Sequence, residues 1–245
     1  MALFGKKRTK DKKNKSNKFD SSLMLLSDKA PWSAQEAYKA LRTNITFSLP
    51  GTDCKIVCVS SGFQGDGKSI NTINTAISFG QLGKKTLLID CDMRLPTCAT
   101  KLGAKGAPGL SDVLVGQSPL TEALQRGVHG IDFISAGNIP PDPTWLIQSQ
   151  QMGVMLEELR KFYDWIFIDL PPVTTVADAS IISRYADGFL LVVRHESTEY
   201  RAIADMLSQL EMAGAKILGF IYNDLSQNEG RYYYKNYYYK RSSDA

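Results

Sequence analysis

CKIVCVSSGFQGDGKS, residues 54–69, passes from an apolar, β-rich run into a glycine turn that closes on a lysine and a serine. Gly62 to Ser69 fits the pattern GxxxxGK[ST]. In such a loop the backbone N–H groups cradle phosphates at a helix N-terminus. The lysine neutralises the β and γ oxygens, and the serine hydroxyl coordinates Mg²⁺. The pattern alone arises by chance. Here a strand over 54–61 precedes it and a helix over INTINTAISFGQLG (70–83) follows, which is the context the chemistry requires. Gly62, Gly65, Asp66, Gly67, Lys68, Ser69 and Ile70 are therefore the candidate nucleotide contacts.

Outward from this loop, apolar runs alternate with helical stretches. KTLLID (85–90), VHGIDFISAG (128–137), DWIFIDL (164–170), GFLLVVR (188–194) and KILGFIYN (216–223) read as five more strands. Helices are expected around 111–126, 144–162, 177–186 and 198–213. Upstream, Ala37, Leu41, Ile45 and Leu49 recur every four residues, so 33–49 reads as a helix with Ser33 as its N-cap. Such alternation predicts an α/β fold of the P-loop NTPase type. Its mostly parallel central sheet carries helices on both faces, three layers in all.

Ligands of open parallel sheets bind beyond the carboxyl ends of strands. Asp90 and Asp92 stand at the end of the second strand and Asp169, in FIDLPP, at the end of the fourth. Asp90 and Asp92, two apart, point the same way if the strand continues through them. Three acids beside a phosphate loop indicate Mg²⁺ and phosphoryl transfer. Ser69, Asp92 and Asp169 are the candidate metal residues. Arg194 and Asn223, at the ends of later strands, are the candidate adenine contacts.

Composition bounds the alternatives. At 245 residues and 43% hydrophobic, the chain suffices for one well-buried domain. No apolar run approaches the roughly 20 residues of a membrane helix, and the N-terminus lacks a signal peptide's apolar stretch. Four cysteines without a CxxC pair or metal spacing point to a reducing, cytoplasmic setting. Residues 1–18 hold eight Lys/Arg against Asp11, so the remainder carries a net −3. We expect residues 1–20 to be a disordered basic arm, suited to solubility or to anionic lipid. The domain itself spans 21–225. Residues 226–245 form a flexible tail in which Tyr232, Tyr233, Tyr234, Tyr237, Tyr238 and Tyr239 crowd between Arg231 and Arg241.

EAYKALRTNI, SSGFQGDGKS, TLLIDCDMRLP, GLSDVL, GNIPPDPTWLIQS, YDWIFIDLPPV, DAS, DGFLLVVR and the tyrosine tail occur in one order. That order resembles the bacterial tyrosine kinases of capsule and exopolysaccharide operons, in the form whose kinase is a separate cytoplasmic chain. The resemblance runs from about residue 33 to the end. It implies an ATP:protein-tyrosine phosphotransferase that modifies its own tail, in trans, and regulates polysaccharide synthesis and export. By similarity Lys68 and Ser69 serve the phosphates and metal, and Asp90 or Asp92, with Asp90 favoured, is the base for the tyrosine hydroxyl. Asp169 orients Mg²⁺ through water, and Arg94 touches phosphate or a neighbouring subunit.

The resemblance also implies rings built through a helix bearing ExxRxxR. Here that motif reads Glu36, Lys39, Arg42, and the lysine keeps the charge but loses the planar fork. Implied partners are a membrane adaptor whose cytoplasmic segment activates the kinase at the membrane's inner face, and a cognate phosphotyrosine phosphatase. No nucleic acid is expected. Gln64, Ile70 and Thr75 depart from the commoner pattern but leave the glycines, lysine and serine intact. Two rivals remain: a switch ATPase of the MinD/ParA kind, and a nucleotide-binding regulator without kinase activity. The first usually carries a second lysine five residues before the main one, where this chain has Phe63.

Overall fold

A computed structural model describes residues 25–195 and 197–223. The basic arm and the tyrosine tail lie outside the described residues. Seven strands form one sheet in the order β3-β4-β2-β5-β1-β6-β7. They are β1 (Lys55–Ser61), β2 (Thr86–Asp90), β3 (Leu124–Val128), β4 (Ile131–Ile134), β5 (Trp165–Asp169), β6 (Gly188–Arg194) and β7 (Ile217–Asn223). Neighbours run parallel except β3, which pairs antiparallel with β4.

Strand alternation builds two cores. In β1, Ile56 and Cys58 face one side while Val57 and Val59 face the other. Leu87 and Ile89 oppose Leu88 in β2, and Ile166 and Ile168 oppose Phe167 in β5. Strands buried on both faces must be apolar throughout, which is why the sequence shows runs rather than alternation.

One face is covered by α1 (Trp32–Ser48), α2 (Lys68–Gly80) and α3 (Cys98–Leu102), through Ile45, Ile73, Ile77 and Leu102. The other is covered by α4 (Leu110–Leu114), α5 (Leu120–Ala123), α6 (Pro143–Gln148), α7 (Gln150–Arg160), α8 (Asp178–Ile182) and α9 (Tyr200–Met212). The three-layer α/β/α architecture holds.

Several expectations need correction. The helix placed over 111–126 stops at Leu114, where Gly116 takes a φ of +73°. Pro119 then starts the single turn of α5, and 124–128 is the edge strand β3. The strand placed over 128–137 shortens to 131–134 as the second arm of that hairpin. The helix over 144–162 is two helices. Extended Ser149 separates them, and its hydroxyl caps α7 by accepting from the Met152 amide at 3.3 Å. Ser33 is not an N-cap: α1 starts one residue earlier, after Pro31, with no side-chain cap.

Candidate active site

The strand order sets β1 between β5 and β6, with β2 beyond β5. The carboxyl ends of β1, β2 and β5 therefore lie side by side. There the chain opens a cleft of about 400 Å³, lined by the phosphate loop, Asp92, Arg94 and the Pro171–Pro172 turn.

Gly67 is the hinge from loop to helix. Its φ is +93°, and a Cβ there would sit 2.2 Å from the Asn223 amide nitrogen. That φ is one other residues rarely adopt, and a Cβ would have to push the Asn223 amide aside. Asn223 donates to the Asp66 carbonyl at 2.9 Å, and Arg194 lies 3.5 Å from the Gly65 carbonyl. Both candidate adenine contacts thus touch the backbone of the loop. The Asp66 carboxylate accepts from the Phe63 amide at 2.9 Å, bracing the loop from within. Gly62 begins the loop by accepting a bond from the Thr174 hydroxyl, and Ile70 lies on the cleft wall in α2.

Lys68 Nζ donates to Asp92 Oδ2 at 2.7 Å, approaches Asp169 Oδ2 at 3.4 Å and reaches the Ser69 hydroxyl at 3.3 Å. Burial alone would lower its pKa, but Asp169 and Asp92 outweigh burial and raise it. Asp169 also accepts from the Thr72 hydroxyl at 3.1 Å.

Asp90 departs from expectation. β2 ends at this residue, so Asp90 and Asp92 do not project as strand neighbours. The Asp90 oxygens instead accept the Asp92 amide at 3.2 Å and the Cys98 amide at 3.1 Å, pinning the 92–98 loop. Asp90 is fully buried, and burial followed by Asp169 pushes its pKa up to about 7. Asp92 is the acid that lines the cleft.

Arg94 is held from behind. Its Nη2 donates to the Thr144 hydroxyl at 2.7 Å, and its Nε lies 3.6 Å from buried Asp178. Thr144 in turn donates to Asp178 at 2.8 Å. GNIPPDPTWLIQS and DAS, quoted above as sequence marks, thus meet in one polar cluster beside the cleft.

The candidate oligomerisation residues all have partners within the chain. Glu36 pairs with Lys39 at 2.7 Å, and Arg42 donates to the Ser78 carbonyl of α2.

Sequence reasoning missed Cys98. Its thiol lies 3.5 Å from Asp169, and its sulfur and oxygens of Asp90 and Asp169 lie within 4.8 Å of one another. Nothing in the spacing of the cysteines marks it, because the contact is made across α3 and two strands. Also missed was Tyr38, whose hydroxyl donates to Asn71 at 2.9 Å while Asn71 donates to the Gly67 carbonyl at 2.9 Å.

The family model of the AAA domain matches residues 54–218. Tyrosine-protein kinase CpsD of Streptococcus agalactiae serotype Ia is 36% identical over 200 residues, 81% of this chain and 85% of its own length. The chain belongs to the bacterial tyrosine-protein kinases. Within this family, tyrosine-protein kinase YwqD of Bacillus subtilis is 34% identical over 86% of this chain and 90% of its own. Among solved structures, the kinase domain of the Escherichia coli tyrosine kinase ETK superposes with a TM-score of 0.76 at 30% identity, covering 79% of this chain and 76% of that one. Like other P-loop members of the family, the chain has a nucleotide-binding site. Among the described residues no helix is long and apolar enough to cross a membrane.

Proposed function

We propose that this kinase transfers the γ-phosphoryl group of ATP to tyrosine hydroxyls, those of Tyr232–Tyr234 and Tyr237–Tyr239 first. The observation that carries this is the convergence of Lys68, Ser69, Asp92 and Asp169 on one cleft with Asp90 directly behind it. Phosphoryl transfer needs little covalent work from the protein and depends on positioning and charge. The bond between the γ-phosphorus and its bridging oxygen breaks as the tyrosine oxygen bonds to that phosphorus. The leaving group is ADP.

Each residue then has a task. The loop amides and Lys68 hold the phosphates. Asp90, made more basic than an ordinary carboxylate, takes the tyrosine proton once the 92–98 loop admits the ring. Its full burial keeps water from the base until then. Arg94, positioned by Thr144 and Asp178, faces the incoming anion. The hard oxygen donors Ser69, Asp92 and Asp169 suit Mg²⁺. When bound, that ion supplies charge neutralisation between the phosphate oxygens.

Action in trans, ring assembly through Glu36, Lys39 and Arg42, activation by a membrane adaptor at the inner face of the membrane, and reversal by a phosphotyrosine phosphatase belong to the same reading. So does a role in capsular or exopolysaccharide synthesis. Support comes from the tail's composition, the position of α1 on α2, and family membership.

The test is incubation of pure protein with ATP and Mg²⁺, with and without a candidate adaptor segment, followed by mass mapping of phosphotyrosine. Phosphate on Tyr232–Tyr239, absent in Lys68→Met, is expected. ATP hydrolysis with no phosphotyrosine under either condition would instead favour a switch ATPase.

A further inference from the structure

A second concave site lies at the opposite end of the sheet. It has a volume of about 500 Å³ and is bounded by the segments that lead into β2, β4 and β5, with α5 and β3 at its side. Its floor is apolar: Ile131 and Leu159 are buried, and Leu120 and Leu124 are half-buried. Phe162 forms one wall and is 65% exposed. Lys84, Lys85 and Arg126 stand at the rim, all exposed.

The one acid lining the site is Asp132, and its charge is taken up locally. It accepts from the Tyr163 hydroxyl at 2.7 Å and the Gly127 amide at 3.0 Å, and Arg126 lies 3.6 Å away. Among the described residues neither Lys84 nor Lys85 has an ion-pair partner. An apolar floor, an aromatic wall and a rim where Lys84 and Lys85 lack ion-pair partners match a ligand with an aromatic body and an anionic head.

We propose that this site binds a phosphotyrosine of the tail, residues 231–241. The choice among anions follows from charge. Arg231, Lys235, Lys240 and Arg241 make the unmodified segment cationic, so the rim repels it. Each phosphate adds roughly −1.5 to −2 charge, so two nearly cancel the segment's four cations, three reverse its sign, and each one presents an aryl anion to the site. The modified tail is thereby drawn from the acid-lined cleft that made it and held at the far pole of a kinase molecule. The proposal rests on the kinase reading for the origin of its ligand, and its test does not need that activity.

A synthetic peptide, Glu229–Arg241, phosphorylated at Tyr233 and Tyr237, is titrated by fluorescence anisotropy into the dephosphorylated full chain in saturating ADP. Binding is expected, with the unmodified peptide at least about tenfold weaker. Lys85→Ala with Arg126→Ala should lower affinity about tenfold or more and leave ADP binding unchanged. Phenyl phosphate should compete better than inorganic phosphate, and Phe162→Ala should erase that preference. Absent binding, affinity unchanged in the double variant, or equal competition by the two phosphates would each overturn the assignment. A chain that binds the peptide yet forms no phosphotyrosine refutes the kinase reading and leaves the site standing.

Discussion

At the carboxyl ends of the strands, Lys68, Asp90, Asp92, Arg94 and Asp169 each have a hydrogen-bonding or charged partner. At the amino ends of β2, β4 and β5, the ammonium groups of Lys84 and Lys85 have no ion-pair partner among the described residues, and both residues are exposed. Burial accounts for the contrast at Lys68, Asp90, Asp92 and Asp169, while Arg94 is exposed and is paired by its neighbours Thr144 and Asp178. Charges taken out of water must be paired, and the pairing fixes their geometry before any ligand arrives. Exposed ammoniums keep their hydration and remain available. The first arrangement suits chemistry, which needs preorganised groups. The second suits recognition, in which a partner brings the missing charge.

The comparison is tested most sharply at Lys68. Lys68→Met should reduce phosphotyrosine formation by at least about 10³-fold, since a phosphate-stabilising cation is lost. It should also lower the melting temperature, because Asp92 and Asp169 lose the cation that compensates them in the interior. Ser69→Ala separates the two effects: it leaves Lys68 between the carboxylates and should lose activity with little loss of stability. Calorimetry beside the phosphorylation assay checks both. Equal melting temperatures for wild type and Lys68→Met would show that the charges at the carboxyl end are not mutually dependent.

The next effect concerns pH in protein free of metal and nucleotide. Asp90 is raised from 3.8 to about 7, first by burial and then by Asp169. Between those values the folded chain holds a proton that the unfolded chain has released. Its stabilisation is therefore full below the unfolded value and is lost as pH rises through the folded one. One such proton gives a slope of up to about 1.4 kcal/mol per pH unit. Lys68, also raised, gives up its share only in the alkaline range. Stability by urea titration should fall from pH 4.5 to 7.5, and Asp90→Asn should flatten that fall. An unchanged slope would remove Asp90 from the account.

Much of this architecture was legible because β1, β2, β5 and β6 are apolar on both faces and leave no choice but a covered parallel sheet. The phosphate loop and the three acids were legible for a related reason: their chemistry is local to the ends of those strands. β3 was not. LQRGV is a short edge strand with exposed positions, and its pairing with β4 overrides the helical pattern before it. The direction of Asp90 was also hidden. It depends on where β2 stops, and that is decided by the Cys98 amide eight residues on. Cys98, Tyr38 and the Arg94–Thr144–Asp178 cluster are contacts between distant segments, which no spacing records.

A smaller effect is expected where α1 meets the loop. The Tyr38 hydroxyl donates to Asn71 at 2.9 Å and accepts from Asn74 at 3.2 Å, and Asn71 holds the Gly67 carbonyl. Tyr38→Phe keeps the ring and leaves both amides short of a partner. It should cost about 1–2 kcal/mol, read as a lower urea midpoint at unchanged slope. An unchanged midpoint would show that the Tyr38 hydroxyl contributes nothing to the anchoring of the loop.

The smallest effect is expected at the amino-end pocket, and it bears most directly on the contrast between the two poles. If Lys84 and Lys85 are solvated charges with no structural partner, Lys84→Ala and Lys85→Ala should move stability by no more than about 0.5 kcal/mol. Asp132 differs, because it accepts from Tyr163 and from the Gly127 amide of the hairpin. Asp132→Ala should therefore destabilise by about 1–3 kcal/mol while the two lysine variants stay silent. The three are compared by urea titration at one pH, with phosphorylation rate on an exogenous tyrosine peptide as the second readout, unchanged in all of them. A lysine variant that destabilises as much as Asp132→Ala would mean that the amino-end cations, like those at the carboxyl end, are part of the framework and not free for a ligand.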